Sequence, residues 1–457
     1  MQYQHTKSSF SNKKFLILMA ALIVTLLIDT SIVKINDLID KNFISIQYKL
    51  VLFSVNSSVC LLLQFFIIKY VKSSFRRGRL DKRKTKAFYV ISLTSLSILA
   101  ALMGILILEQ FFYNYYDTSI GISIIATSYG IAAALLTWLS WLFLSWYKSN
   151  HSFIVFLYFI STLIIAFNLI MTAAFTSAKV SDRPSHAGEY IGSSGDITGG
   201  KHALLDSIYR ISSFMSFFSI WITTALLMRY YRERLINDII YWIILSIPLV
   251  YFVITYFYQF FLAKILISYL AIDPITVSII LGAFLSLSKP IGGLVFAIAF
   301  WKIARTISYE KNIRRYMIIS GWGILLIFGA NQAATQIVSP YPPFGLATIT
   351  VLVMASFLML LGIYNSAILV SANNELRKSI YKNAVESRLL RLIGHAEMES
   401  EIEKTVRKIS RDKNLLEIDV EQQRLLEIDE KGLKKYLDLV IREVKKGDKK
   451  QSVNDFD

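Results

Sequence analysis

Nothing narrows the folds open to this chain as much as its repeated apolar runs. About ten stretches, near 15–34, 48–69, 88–112, 119–146, 152–175, 208–229, 239–262, 275–301, 316–338 and 344–370, are long, apolar and almost free of charge. A helix needs about 20 such residues to cross the ~30 Å hydrocarbon core of a bilayer. The expected fold class is therefore all-α: a polytopic transmembrane helical bundle of about ten helices with a helical cytoplasmic tail. The first run follows Lys13 and Lys14, as the apolar part of a signal peptide would. No small-residue cleavage site comes after it, so it is read as a retained signal anchor.

The loops test that count. The segment between the second and third runs carries Lys69, Lys72, Arg76, Arg77, Arg79, Lys82, Arg83, Lys84 and Lys86 against one acid, Asp81. The positive-inside rule puts it in the cytoplasm, where Arg76, Arg77, Arg79, Lys82, Arg83 and Lys84 would meet anionic lipid. Every second loop is then basic: Lys148, then Arg229, Arg232 and Arg234, then Lys302, Arg305, Lys311, Arg314 and Arg315. The intervening loops, "EQFFYNYYDT", "AKILISYLAIDP" and "VSPYPPFG", are poor in base. A miscounted helix would scramble this alternation. A cell-membrane location with both termini cytoplasmic follows. The formal charge of +17 belongs to these loops, so it speaks for topology and a lipid partner rather than for nucleic acid. Tyr113, Tyr115 and Tyr116 at one set of helix ends, and Trp146 and Trp301 at the other, read as interfacial aromatics.

The expected organisation is a cytoplasmic N-terminus at 1–14, a transmembrane domain at 15–370 with a long external loop at 176–207, a cytoplasmic helical tail at 371–447 and a disordered end at 448–457. In the tail, Leu376, Ile380, Ala384, Leu389, Ile393 and Ala396 recur at helical spacing, which predicts a long helix continuing the last span. A second amphipathic helix follows Asp429, with Leu433, Leu437, Val440, Ile441 and Val444 on one face. That stripe needs a cover: the preceding helix, a second copy of the chain, or the membrane. The tail is thus the expected site of homodimerisation or of a cytoplasmic protein partner.

Candidate functional residues are those that an apolar interior tolerates least. Lys289 lies thirteen residues above Lys302, roughly 20 Å into the membrane at 1.5 Å per residue. Pro290, Gly292 and Gly293 follow it, and together they predict a broken eighth helix of the kind that builds midplane sites in transporters. Asp29, at a similar depth measured from Lys14, is a candidate partner for Lys289. On the ninth run Gln332, Thr335 and Gln336 share one face, which suits a polar pathway or, more commonly, bonding between helices. Ala126, Gly130 and Ala134 on the fourth run form a small-residue seam that predicts helix packing. His186 and His202 share the long loop with four acids but show no tight metal-ligand spacing. His395 is followed by Ala396 and not by an acid, which argues against a phosphoacceptor. The sequence holds no HExxH, Walker, CxxC or GxSxG motif, so neither enzymatic activity nor a cofactor is expected.

Ten spans followed by "LLRLIGHAEMESEIEKTV" and a short amphipathic helix resemble a set of uncharacterised archaeal multi-pass membrane proteins. The likeness covers roughly the last eighty residues and the general layout, and it implies no activity. Two functions fit the sequence. One is a binding, sensing or scaffold protein with the tail as its output; the other is a secondary transporter or channel built around Lys289 and Pro290.

Overall fold

The computed structural model describes residues 12–38, 46–75, 82–181, 203–235, 238–257, 274–306, 311–333, 342–372, 389–390 and 392–403, with four isolated residues between 261 and 268. Ten long helices run through them: α1 Asn12–Leu38, α2 Ile46–Phe75, α3 Lys82–Tyr113, α4 Thr118–Asn150, α5 Phe153–Ser181, α6 Ala203–Leu235, α7 Asp238–Phe257, α8 Pro274–Thr306, α9 Lys311–Ala333 and α10 Leu346–Ala372. No strand occurs among the described residues. Eight of the helices are long and apolar enough to cross a membrane within those residues. The chain is a polytopic membrane protein.

The centre of the bundle is α10. It is buried along its whole apolar length and touches α1, α2, α3, α4 and α9. A helix apolar on every side is at home in a protein core or in lipid, and here its neighbours cover it. Of its buried polar residues, Thr348, Thr350, Asn365 and Ser366 find partners on neighbouring helices or on their own backbone. The α4 hydroxyl of Ser128 donates to Ile349 O, and the α2 amide of Gln64 donates to Thr350 Oγ1. A second group, α5, α6, α7 and α8, joins this core chiefly through α4 and α9, with a smaller contact between α1 and α8.

Glycine sets the closest approaches. A Cβ on Gly323 of α9 would lie 2.6 Å from Met359 N and 2.8 Å from Ala355 O, and one on Gly362 of α10 would lie 2.6 Å from Tyr316 O. The helix expected to break at Pro290 does not. α8 is continuous from Pro274 to Thr306 with Pro290 inside it. Proline removes the donor to the Ser286 carbonyl one turn back and crowds that carbonyl, a cost that packed membrane helices absorb. The adjacent glycines serve contact instead: a Cβ on Gly292 would collide with the Phe217 ring of α6, and one on Gly293 would lie 2.9 Å from Phe328 Cβ of α9.

The small-residue seam of α4 also differs from expectation. Ala126, Gly130 and Ala134 face out of the bundle, whereas Ile125, Ser128, Tyr129 and Ala132 face in. Spacing reveals a stripe but not the direction in which it points.

Asp117 starts α4 with its carboxylate accepting from Ser119 N at 2.8 Å, and this bond holds the group below the usual carboxylate range. A lowered pKa stabilises above the ordinary range, and the stabilisation is lost as pH falls through the lowered value. Thermal melts of Asp117→Ala are expected to fall below wild type at neutral pH and to converge with it in acid.

Candidate functional site

Lys289 falls near the middle of α8, about 22–26 Å from either end at 1.5 Å per residue, and is 2% exposed. Its Nζ donates to Tyr209 Oη at 3.2 Å and to Ser213 Oγ at 3.4 Å, both on α6, and stands 5.2 Å from the Tyr209 ring centroid. The network continues into α5 and α9. Asn168 Nδ2 donates to Ser212 Oγ at 3.0 Å and Ser213 Oγ at 3.1 Å, while Asn331 Nδ2 donates to Asn168 Oδ1 at 2.9 Å. Four helices thus meet in one buried polar cluster, and its members are all nearly inaccessible. Tyr209 stacks on Phe175 at 4.5 Å, and Lys179 Nζ lies 4.3 Å over the other ring. The two rings stack near the end of α5 and the start of α6, with Lys179 over the Phe175 ring and Lys289 at the Tyr209 hydroxyl.

Asp29 does not pair with Lys289. Its Oδ2 accepts from Thr348 N at 3.1 Å and from Thr348 Oγ1 at 2.6 Å, at the start of α10. Gly345 precedes α10 with φ of 93° and takes the capping position, since Ile349 N donates to Gly345 O. A residue there would normally satisfy the third amide of the helix with its own side chain. Glycine has none, and Asp29 of α1 supplies the missing acceptor from another helix. Matching depths along two separate helices did not reveal this, because the partner is 319 residues away in sequence.

Gln332 is buried at the end of α9, while Thr335 and Gln336 lie outside the described residues, as do His186, His202, Arg76, Arg77 and Arg79. Lys82, Arg83 and Lys84 form the first residues of α3. Among the described residues no group of three or more His, Cys, Asp or Glu side chains is placed to hold a metal ion. The sequence reading missed Asn168, Tyr209, Ser212 and Ser213. A lone asparagine in the apolar α5, opposite a Ser-Ser pair on α6, was the available signal.

The tail is the second feature. It does not run on as one straight helix from α10. Residues 389–390 and 392–403 are helical, and a Cβ on Gly394 would collide with Val370. A straight helix would separate those two residues by about 36 Å, so the chain turns back onto the bundle. Leu389, Leu390, Ile393 and Ala396 are buried there, which covers the later part of the first apolar stripe, while Leu376, Ile380 and Ala384 lie outside the described residues. Trp146, expected at a lipid interface, is instead fully buried, and its Nε1 donates to Glu397 Oε2 at 2.6 Å. His395 Nδ1 stands 3.1 Å from Glu399 Oε1 one turn on. The second tail helix, around 433–444, lies outside the described residues.

No protein-family model, curated protein or solved structure matches this chain.

Proposed function

We propose that this is a cell-membrane binding and sensing protein, with both termini cytoplasmic, whose bundle receives a solute and whose docked tail helix passes the signal on to a cytoplasmic partner or a second copy of the chain. The observation that carries this reading is the buried Trp146–Glu397 hydrogen bond, with Gly394 seated on Val370. Such a contact ties the tail to α4 and α10 rather than leaving it as a free appendage. Trp146 also ends an aromatic chain: it meets Phe143 edge-on at 5.3 Å, Phe143 stacks on Tyr158 at 5.3 Å, and Tyr158 meets Phe300 at 6.2 Å. That chain joins the tail to α5 and to α8, the helices that hold Asn168 and Lys289. Packed side chains with two arrangements are the material of coupling between sites.

Gly394→Leu tests the docking. The larger side chain cannot sit on Val370, so amide hydrogen exchange across 389–403 is expected to rise by about an order of magnitude or more, as the helix loses its cover. Under the sensing reading, exchange in the wild-type tail also responds to a small-molecule extract, and Lys289→Met abolishes the response. A tail whose exchange is indifferent to both changes removes that reading.

The second reading, secondary transport, is favoured by one observation: a lysine at mid-helix in a polar cluster, where transporters place their sites. Solute uptake into proteoliposomes that Gly394→Leu leaves intact and Lys289→Met abolishes would select it.

A further inference from the structure

We propose that the lipid-facing side of the α2–α3 pair holds one anionic phospholipid, its phosphate headgroup bound by Lys69, Lys72 and Lys86 beside Tyr89. Lys69 and Lys72 lie about one turn apart near the end of α2, and Lys86 and Tyr89 about one turn apart near the start of α3. The two helices pack against each other. Lys72 Nζ stands 3.9 Å from the Tyr89 ring centroid, so the two pairs face one another. All three lysines are exposed. The ion pairs among the described residues join Arg210 to Asp206 and His395 to Glu399, and no described carboxylate stands against this trio. Three ammonium groups gathered within about two turns repel one another unless an anion lies among them. A phosphate has several oxygens and can accept from each.

What lies below the lysines makes that anion a lipid. Both helices lead from them into the bilayer: α2 meets the start of α10 through Cys60 and Gln64, and α3 leaves the later part of α10 at Asn365. Phe65 follows Lys72, and Leu62 follows Lys69, at spacings close to two whole turns of α2. Both are apolar and exposed, by 40% and 56%. Ala100 follows Tyr89, and Ser97 follows Lys86, at spacings close to three whole turns of α3. Both are small and exposed. One wall is therefore greasy and the other low, which leaves room for an acyl chain beneath the headgroup. A free phosphate makes no use of that apolar wall, and a zwitterionic lipid brings a cation that the lysines repel. The basic loop between these helices addresses the charge of a whole leaflet; the trio on the helices themselves addresses one lipid.

The test uses purified full-length protein in a neutral detergent at constant ionic strength. The melting temperature is followed against phosphatidylglycerol, phosphatidylcholine and inorganic phosphate. A saturable rise in Tm is expected with phosphatidylglycerol alone. Lys72→Gln and Lys86→Gln should each weaken the apparent affinity about fivefold, the size of one lysine at an anionic lipid surface. Ala100→Phe should weaken it too, by filling the valley with every charge left in place. Lys311→Gln at the start of α9 removes an equally exposed charge and should titrate like wild type. Should Lys72→Gln fail to fold, Lys86→Gln and Ala100→Phe carry the comparison. An equal rise with phosphatidylcholine overturns the headgroup site, and an equal rise with inorganic phosphate overturns the lipid. A flat wild-type titration overturns both. A loss in Lys311→Gln as large as that in Lys72→Gln also overturns the site, because the lysines would then act only as a diffuse field.

Discussion

Valine at position 362 is expected to cost the protein about 3 kcal/mol or more, the upper end of what overpacking a core usually costs. Gly362 faces α9 at the point where a Cβ would meet Ser320 Oγ and lie 2.6 Å from Tyr316 O and 3.0 Å from Ser320 N. Gly323 mirrors it from α9, pressed on Met359 N and Ala355 O. The two helices therefore touch backbone to backbone. A crowded side chain can turn away, but a helical carbonyl cannot, so any added carbon moves a whole helix. Since α10 lies at the centre, moving it disturbs α2, α3 and α4 as well. In a membrane, helix association depends on this close packing because lipid is as apolar as the side chains. The control is Gly130→Val on α4, where a Cβ meets nothing within 4 Å; it should melt within about 0.5 kcal/mol of wild type. Thermal or denaturant unfolding in mild detergent measures both. Equal losses in the two variants would show that glycine content matters in this bundle, and not the α9–α10 contact.

What the sequence disclosed follows from which interactions are local. Apolar runs depend on residues close together in the chain, and each of the ten overlaps one of the ten helices, with ends that differ by up to about six residues. Pairings across the bundle are not local. Lys289 was legible as a buried charge because any lysine in an apolar run is costly, but its partners on α6 are 76 and 80 residues away. The same holds for "KPIGG". Read along the chain, proline and two glycines suggest a break; read across the bundle, the glycines admit Phe217 and Phe328. Gly394 was silent for a related reason. Glycine inside a helix costs about 1 kcal/mol relative to alanine, so its presence in "LIGHAEM" hints at a close contact without saying with what. Trp146 misled because position at a helix end suggests lipid, whereas a turned-back tail claims its indole.

Asp29→Ala is expected to destabilise by about 2–4 kcal/mol, from an orphaned buried donor pair and the loss of negative charge at a helix start. Its Oδ2 takes both the amide and the hydroxyl of Thr348, and without it neither reaches water. Asp29→Asn should cost far less. The amide oxygen still accepts both bonds, and removing the charge relieves the expense of holding it inside a membrane. That ordering, alanine severe and asparagine mild, marks a cap; an ion pair would make both severe, because each strands the opposite charge. The cycle of Asp29→Asn with Lys289→Met sharpens the point. Asp29 serves the start of α10 and Lys289 serves the α5–α6–α9 cluster, so their effects should add within about 0.5 kcal/mol. A double variant more stable than either single one would mean that the two charges do interact, and the assignment of Asp29 as the remote cap of α10 would have to be given up.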